Sequence, residues 1–230
     1  MKINAKEFVQ SLLKENEKYV TDLINGNFVK GYENKKFDLT GIRLFIESHY
    51  HLVNIDIGNL ATYLAKARDY LEIEFFLLMV NAEKLMLDTL IILGKRIGLT
   101  LEDLEASKPV PIIISRSNYF SRLALYSTPG EIALAILLNF PLWAGGARKL
   151  SKALKKNYGL NNKDTDFLDR FSKATEGFNN MAYTIIQKEL TDKTQLSKMK
   201  EIGRLAVEYE TIVWKEYYNE TMRRIKKNKN

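Results

Sequence analysis

The stretch YETIVWKEYY, residues 209–218, places one carboxylate on an otherwise apolar helix face. The residues four before Glu210 and three, four and seven after it are Ala206, Val213, Trp214 and Tyr217. These spacings return to one side of an α-helix, so the segment is predicted to be helical. An ionised carboxylate in a protein core is costly unless it has a partner, which makes Glu210 a candidate functional residue.

The same spacings of three and four recur along almost the whole chain, and the alternation typical of strands is nearly absent. The sequence therefore predicts an all-α protein of long helices joined by short loops. With only four prolines and twelve glycines and no internal repeat, residues 1–230 are expected to form a single domain. The predicted helices are 4–24, 39–68, 70–97, 112–126, 129–157, 164–190 and 195–226, with connections at 28–37 and 107–111.

Composition excludes several classes of function. The chain has no cysteine, so disulfides, thiolate metal ligands and a cysteine nucleophile are impossible. The longest uncharged stretch, 132–147, is short and contains Pro141, so we expect no membrane span. The net charge of +7 is concentrated in 148–156 and 223–230, where solvated helix ends explain it without nucleic acid. A soluble cytoplasmic protein is expected.

A proline interrupts the predicted helix 129–157. Pro141 cannot donate to the carbonyl of Leu137, so a kink is predicted there. Asn139 interrupts the apolar run just before it, and Gly145 and Gly146 follow. Two interpretations stay open: the kink lines a pocket in which Asn139 contacts a ligand, or it serves packing alone.

Both histidines of the chain lie in the predicted helix 39–68. His49 and His51 point about 200° apart on a helix and cannot hold one metal as a pair. Glu47 and His51 share a face, so they could bind a metal or hydrogen-bond each other. The hydrogen bond is favoured because the chain has no third histidine to complete a site.

Taken in chain order, these features resemble the TenA/Thi-4 family. The family's Y-E-W-M-F-W-D-x-A-Y pattern matches Tyr209, Glu210, Trp214 and Tyr218 without a gap. Three further segments are similar to family segments: FIESHYHLVNI (45–55), SNYFSRLALYSTPGEIALAILL (117–138) and FLDRFSKATEGF (167–178). The resemblance implies a haem-oxygenase-like multi-helix bundle, thiamin-related aminopyrimidine hydrolysis or salvage, and a homodimer or homotetramer. The apolar run FFLLM (75–79) is consistent with a helix covered on more than one side.

The resemblance gives Glu210 the place of the family's catalytic glutamate and Tyr119 that of a pocket tyrosine. The family's nucleophilic cysteine falls at Phe140 or Pro141, neither of which can attack a ring carbon. This departure makes the chain a divergent member, and any hydrolysis has to use water as the nucleophile. We expect a ligand or a neighbouring hydroxyl, with that of Tyr119 favoured, to hydrogen-bond Glu210 and to stabilise its charge.

Two other family positions also differ. The tyrosine of the family's W-I-x-x-Y segment becomes Phe171, and its substrate-binding aspartate falls at Ser48 or His49. With Glu210 as the catalytic residue, the predicted ligand contacts are Tyr119, Glu47, Ser48, His49, His51, Asn139, Phe140, Phe171 and Trp214. No metal and no cofactor are predicted.

Three functions are therefore open. The first is a cysteine-free hydrolase that acts on a small aromatic, pyrimidine-like compound. The second is a non-catalytic ligand-binding or interaction protein on the same bundle. The third is an oxidase-like relative with one metal held by Glu47, His51 and Glu210.

Overall fold

The structure is a computed structural model that describes residues 3–170 and 175–228, and it is built from helices. The described part contains no strand, so the all-α prediction is confirmed. The helices are α1 Ala5–Glu15, α2 Glu17–Ile24, α3 Asn27–Glu33, α4 Thr40–Ala65, α5 Tyr70–Arg96, α6 Leu101–Ala106, α7 Pro111–Tyr126, α8 Pro129–Tyr158, α9 Asp166–Arg170, α10 Glu176–Gln187 and α11 Lys193–Lys227.

Five helices form the centre of the bundle. Helix α4 packs against α5 and α7, and α11 packs against α7, α8 and α4. The ring of Trp214 on α11 lies against Gly146 on α8, where an added Cβ would come within 2.5 Å of the ring. Only glycine allows this approach, so residue 146 sets the distance between α8 and α11 at this level.

Helix α8 is the most deeply buried of these helices. Thr128 accepts a hydrogen bond from the backbone N–H of Glu131, and Glu131 accepts one from the N–H of Thr128, which confirms the predicted helix start. The helix continues through Pro141 to Tyr158, and the kink stays a prediction. In the part of the chain described, α8 alone is long and apolar enough to cross a membrane, but 83% of its most apolar window is buried in the protein, as in a core helix.

Several boundaries differ from those predicted. Asn16 ends α1 and begins α2, so the predicted first helix is two helices. Helix α3 covers much of the predicted connection 28–37, because Phe28 and Tyr32 are buried and Phe37 packs on Gly31. Helix α6 follows the capping box at Thr100. The predicted helix 164–190 is represented by α9 and α10, with 171–174 outside the described residues.

Candidate functional site

A cavity of about 290 Å³ lies among helices α4, α5, α7, α8, α10 and α11. Most of its wall is apolar, with rings from Phe120, Phe140, Trp143 and Phe178. The polar side chains that line it are His49, Asp56, Asn59, Tyr63, Glu83, Arg116, Asn139, Thr175 and Glu210. Polar groups gathered in an otherwise apolar cavity are typical of a small-molecule site.

Glu210 is buried in this wall with both carboxylate oxygens in contact with donors. The indole N–H of Trp214 donates to Oε1 over 2.7 Å, and the Asn139 amide donates to Oε2 over 3.0 Å. The guanidinium of Arg116 lies 3.5 Å from Oε2. The charge that stood out on the apolar face is therefore stabilised by one cation and two hydrogen bonds.

Arg116 links three of the polar residues. Its guanidinium donates to Oδ2 of Asp56 and, over 3.4 Å, to Oδ1 of Asn139. It also lies 4.8 Å from the ring centre of Phe120, within reach of a cation–π interaction. One guanidinium from α7 thus stabilises carboxylates from α4 and α11.

Glu83 reaches the cavity from α5 and is partly buried. Burial raises the pKa of its carboxyl group to about 8; the negative charge of Asp56 adds to this effect and the positive charge of Arg116 opposes it. No hydrogen bond from the described residues is among the causes. At neutral pH this group is mostly a neutral carboxylic acid that can donate a proton.

His49 lines the cavity as an uncharged imidazole that is hydrogen-bonded to its neighbours. Its Nε2 accepts a hydrogen bond from the indole N–H of Trp143 over 3.3 Å, so Nδ1 carries the proton and faces the carbonyl of Phe45. The hydroxyl of Tyr217 lies 2.9 Å from Nδ1. Burial lowers the pKa of His49 to about 3, so the ring stays uncharged at neutral pH.

The sequence model of the TENA/THI-4/PQQC family matches residues 13–220. The chain belongs to this family. Its lack of cysteine makes it a divergent member, as the resemblance predicted. No curated protein matches the chain significantly in sequence.

Solved structures of TenA homologues share its fold. One from Pyrococcus furiosus is 18% identical, with a TM-score of 0.73 over 92% of this chain and 100% of that one. Another from Pseudomonas syringae is 12% identical, with a TM-score of 0.75 over 92% and 93%. A domain of unknown function with a haem-oxygenase-like fold, from Shewanella denitrificans, is 15% identical, with a TM-score of 0.74 over 96% and 94%. The predicted haem-oxygenase-like bundle is confirmed.

Only some of the predicted site residues of this TenA-family chain meet. Glu210, Asn139, Phe140 and His49 line the cavity together. Trp214 lies behind it and acts on the site through Glu210. Whether these residues contact a ligand stays a prediction, and Phe171 lies outside the described residues.

Tyr119 has a different partner from the one expected. Its hydroxyl donates to the backbone carbonyl of Ile202 over 3.1 Å, and its ring stacks on that of Tyr209 at 4.9 Å. It does not line the cavity, and the expected hydrogen bond to Glu210 is replaced by those from Trp214 and Asn139. The hydroxyl meets a backbone carbonyl on the facing helix, which side-chain spacing could not predict.

The polar residues of α4 also have partners other than those predicted. Glu47 pairs with Arg43 and Arg224, and Nε2 of His51 hydrogen-bonds Ser107, so the favoured Glu47–His51 hydrogen bond is wrong. Neither residue lines the cavity, and neither does the buried Ser48. Within residues 3–170 and 175–228, no group of three or more His, Cys, Asp or Glu side chains could hold a metal ion, which leaves the set Glu47, His51 and Glu210 without support.

The sequence prediction missed three charged residues of the site: Asp56, Glu83 and Arg116. Each carries the signal that singled out Glu210, a charge with apolar residues about one turn away on either side. The neighbours are Leu52 and Leu60 for Asp56, Met79 and Leu87 for Glu83, and Ile112 and Phe120 for Arg116. The same test applied to every helix selects these three residues, but it also selects the exposed Glu74, with Tyr70 and Leu78 one turn away, so only the packing of the helices identifies the cluster.

Proposed function

We propose that this TenA-family protein binds a small, planar nitrogen heterocycle of the aminopyrimidine type in the cavity. The observation that carries the proposal is the convergence of Asp56, Glu83, Arg116 and Glu210, from four helices, on one cavity with aromatic walls. Ligand cavities commonly measure about 300–1,000 Å³. A volume of about 290 Å³ suits a ligand with a single ring.

The chemistry of the lining fits such a ring. An aminopyrimidine presents an acceptor nitrogen beside a donor amino group, and carboxyl and amide side chains offer the complementary pair. The amide of Asn59, with its carbonyl oxygen and NH₂ group, could make both hydrogen bonds at once. Phe120 and Phe140 offer ring faces that would pack against the flat heterocycle.

Hydrolysis is a second candidate, favoured by the raised pKa of Glu83. A water oxygen would attack the carbon that carries the amine while the C–N bond breaks and its electrons pass to nitrogen. Glu83 would give the departing amine a proton, and Glu210 would take one from the attacking water. Oε1 of Glu210 accepts a hydrogen bond only from Trp214 among the residues described, so it has lone-pair capacity for that water.

The test combines calorimetry with product analysis on a panel of aminopyrimidines. Binding with the ligand recovered unchanged would indicate a binding protein, whereas release of ammonia or amine would indicate a hydrolase. Ala82→Leu adds three carbon atoms at the cavity wall and should abolish binding. Ala61→Leu makes the same change on the exposed face of α4 and should not. No binding by the wild-type protein would overturn the proposal.

A further inference from the structure

We infer that Asp56 and Glu83 form a subsite for a positively charged nitrogen of the ligand, so that the cavity selects cationic over neutral heterocycles. The inference rests on the proposed function. It identifies the residues that would distinguish between ligands of the same shape but different charge. Three observations on the described residues support it: an oxygen of Asp56 has no hydrogen-bond partner, Glu83 and Asp56 interact, and the cavity lining holds more carboxyl groups than cations.

Asp56 has one oxygen in use and one without a partner. Oδ2 accepts from Arg116, whereas Oδ1 is buried and has no hydrogen-bond partner among the described residues. Asp56 is 8% exposed and lines the cavity, so bulk water reaches it poorly. A buried acceptor left unpaired costs about 1–3 kcal/mol, and a ligand N–H would relieve that cost.

Glu83 lies close enough to Asp56 for their charges to interact. Burial is the largest cause of its raised pKa and the charge of Asp56 is the second, so the two carboxyl groups resist being ionised together. A cation placed between them would remove that conflict. Glu210 differs from Asp56, because each of its oxygens already accepts a hydrogen bond and neither is left unpaired.

The charge balance of the cavity also favours a cation. Arg116 is the one cation among the described lining residues, and three carboxyl groups face it. Burial keeps His49 neutral by lowering its pKa and keeps Tyr63 neutral by raising its pKa. The other titratable or charged groups that line the cavity with Glu83 are His49, Asp56 and Tyr63 of α4, Arg116 of α7 and Glu210 of α11, and of these Asp56 and Arg116 act on the pKa of Glu83. The described lining residues of α8 and α10 add none.

The test compares two probes that differ in one group. A 4-aminopyrimidine with a 5-aminomethyl substituent is cationic at pH 7, and its 5-hydroxymethyl analogue has nearly the same size without the charge. We expect the amine to bind the wild-type protein at least tenfold more tightly in calorimetry. If both probes bind equally well, the inference is overturned while the proposed function stands. If neither binds, the proposed function fails and the inference fails with it.

Two variants locate the effect. Glu83→Gln and Asp56→Asn should each weaken binding of the amine at least fivefold at pH 8 and leave that of the alcohol within about twofold. Glu74→Gln is the matched control for Glu83, because it makes the same change on the exposed face of α5. Asp56→Asn also removes a partner of Arg116, so Glu83→Gln decides the matter if Asp56→Asn fails to fold. Equal loss of both probes in Glu83→Gln would indicate a structural role and overturn the inference.

Discussion

Trp214 donates its indole N–H to Glu210 across 2.7 Å, one turn along the same helix. The two side chains that carry the strongest family resemblance thus form one unit, with the tryptophan behind the cavity and the carboxylate in its wall. Asn139 and Arg116 complete the surroundings of the carboxylate from two other helices. Glu210 is therefore a structural as well as a candidate functional residue.

We predict that Glu210→Gln destabilises the protein by about 1–3 kcal/mol. A carboxamide has one acceptor oxygen, so its NH₂ group would face either Trp214 or the donors Asn139 and Arg116. Urea unfolding measures the loss. Glu201→Gln, on the exposed side of α11, is the matched control. A stability equal to that of the wild type would mean that Glu210 is not held as described.

Arg116→Met should cost more, about 3–5 kcal/mol at pH 7, because it leaves Asp56 and Glu210 buried without their cation. Arg122→Met on the exposed face of the same helix should change stability by less than about 1 kcal/mol. Chemical denaturation of both variants gives the comparison. Equal effects would contradict the role of Arg116 at the centre of the cluster.

The raised pKa of Glu83 predicts a specific dependence of stability on pH. Its pKa is about 8 in the folded protein and near 4.5 when exposed, so unfolding releases a proton between these values. The contribution of Glu83 is complete below pH 4.5 and is lost as pH rises to 8. Relative to Glu83→Gln, the wild type should therefore lose roughly 4 kcal/mol between pH 5 and pH 8.5. Parallel curves for the two proteins would refute the shift.

Binding of a cationic probe should depend on pH in the opposite direction. A nearby ammonium group lowers the pKa of Glu83, so binding releases a proton and becomes tighter from pH 6 to pH 8. A primary amine stays protonated over this range. Calorimetry in buffers of different ionisation enthalpy would detect the released proton in the wild type. If Glu83→Gln releases the same proton when the probe binds, the proton comes from a group other than Glu83.

An apolar surface on α5 supports the prediction of a homodimer or homotetramer. Ile73, Leu77, Leu78, Leu85 and Ile92 are exposed along this helix. We expect light scattering to give at least twice the 26.6 kDa of one chain, and Leu77→Lys to weaken the assembly. Ile212→Lys, at an exposed position of α11, is the control. A monomer at micromolar concentration would contradict the prediction.

The sequence predicted the features that depend on local spacing. The long helices, the start of α8 at Thr128 and the burial of Glu210 follow from residues three or four positions apart. Contacts between distant helices could not be predicted in this way. Tyr119 bonds a carbonyl 83 residues away and His51 bonds Ser107, 56 residues away. Such partners depend on how the helices cross, which no single helical pattern encodes.

The contact between Gly146 and Trp214 means that a residue outside the cavity wall can change the position of the Glu210 carboxylate within it. A methyl group at residue 146 would displace the indole, and the indole would displace the carboxylate bonded to it. Neither Gly146 nor Trp214 lines the cavity. Ligand preference in a lineage of such proteins could therefore drift through the size of a residue that no ligand touches, and a comparison restricted to the cavity wall would overlook it.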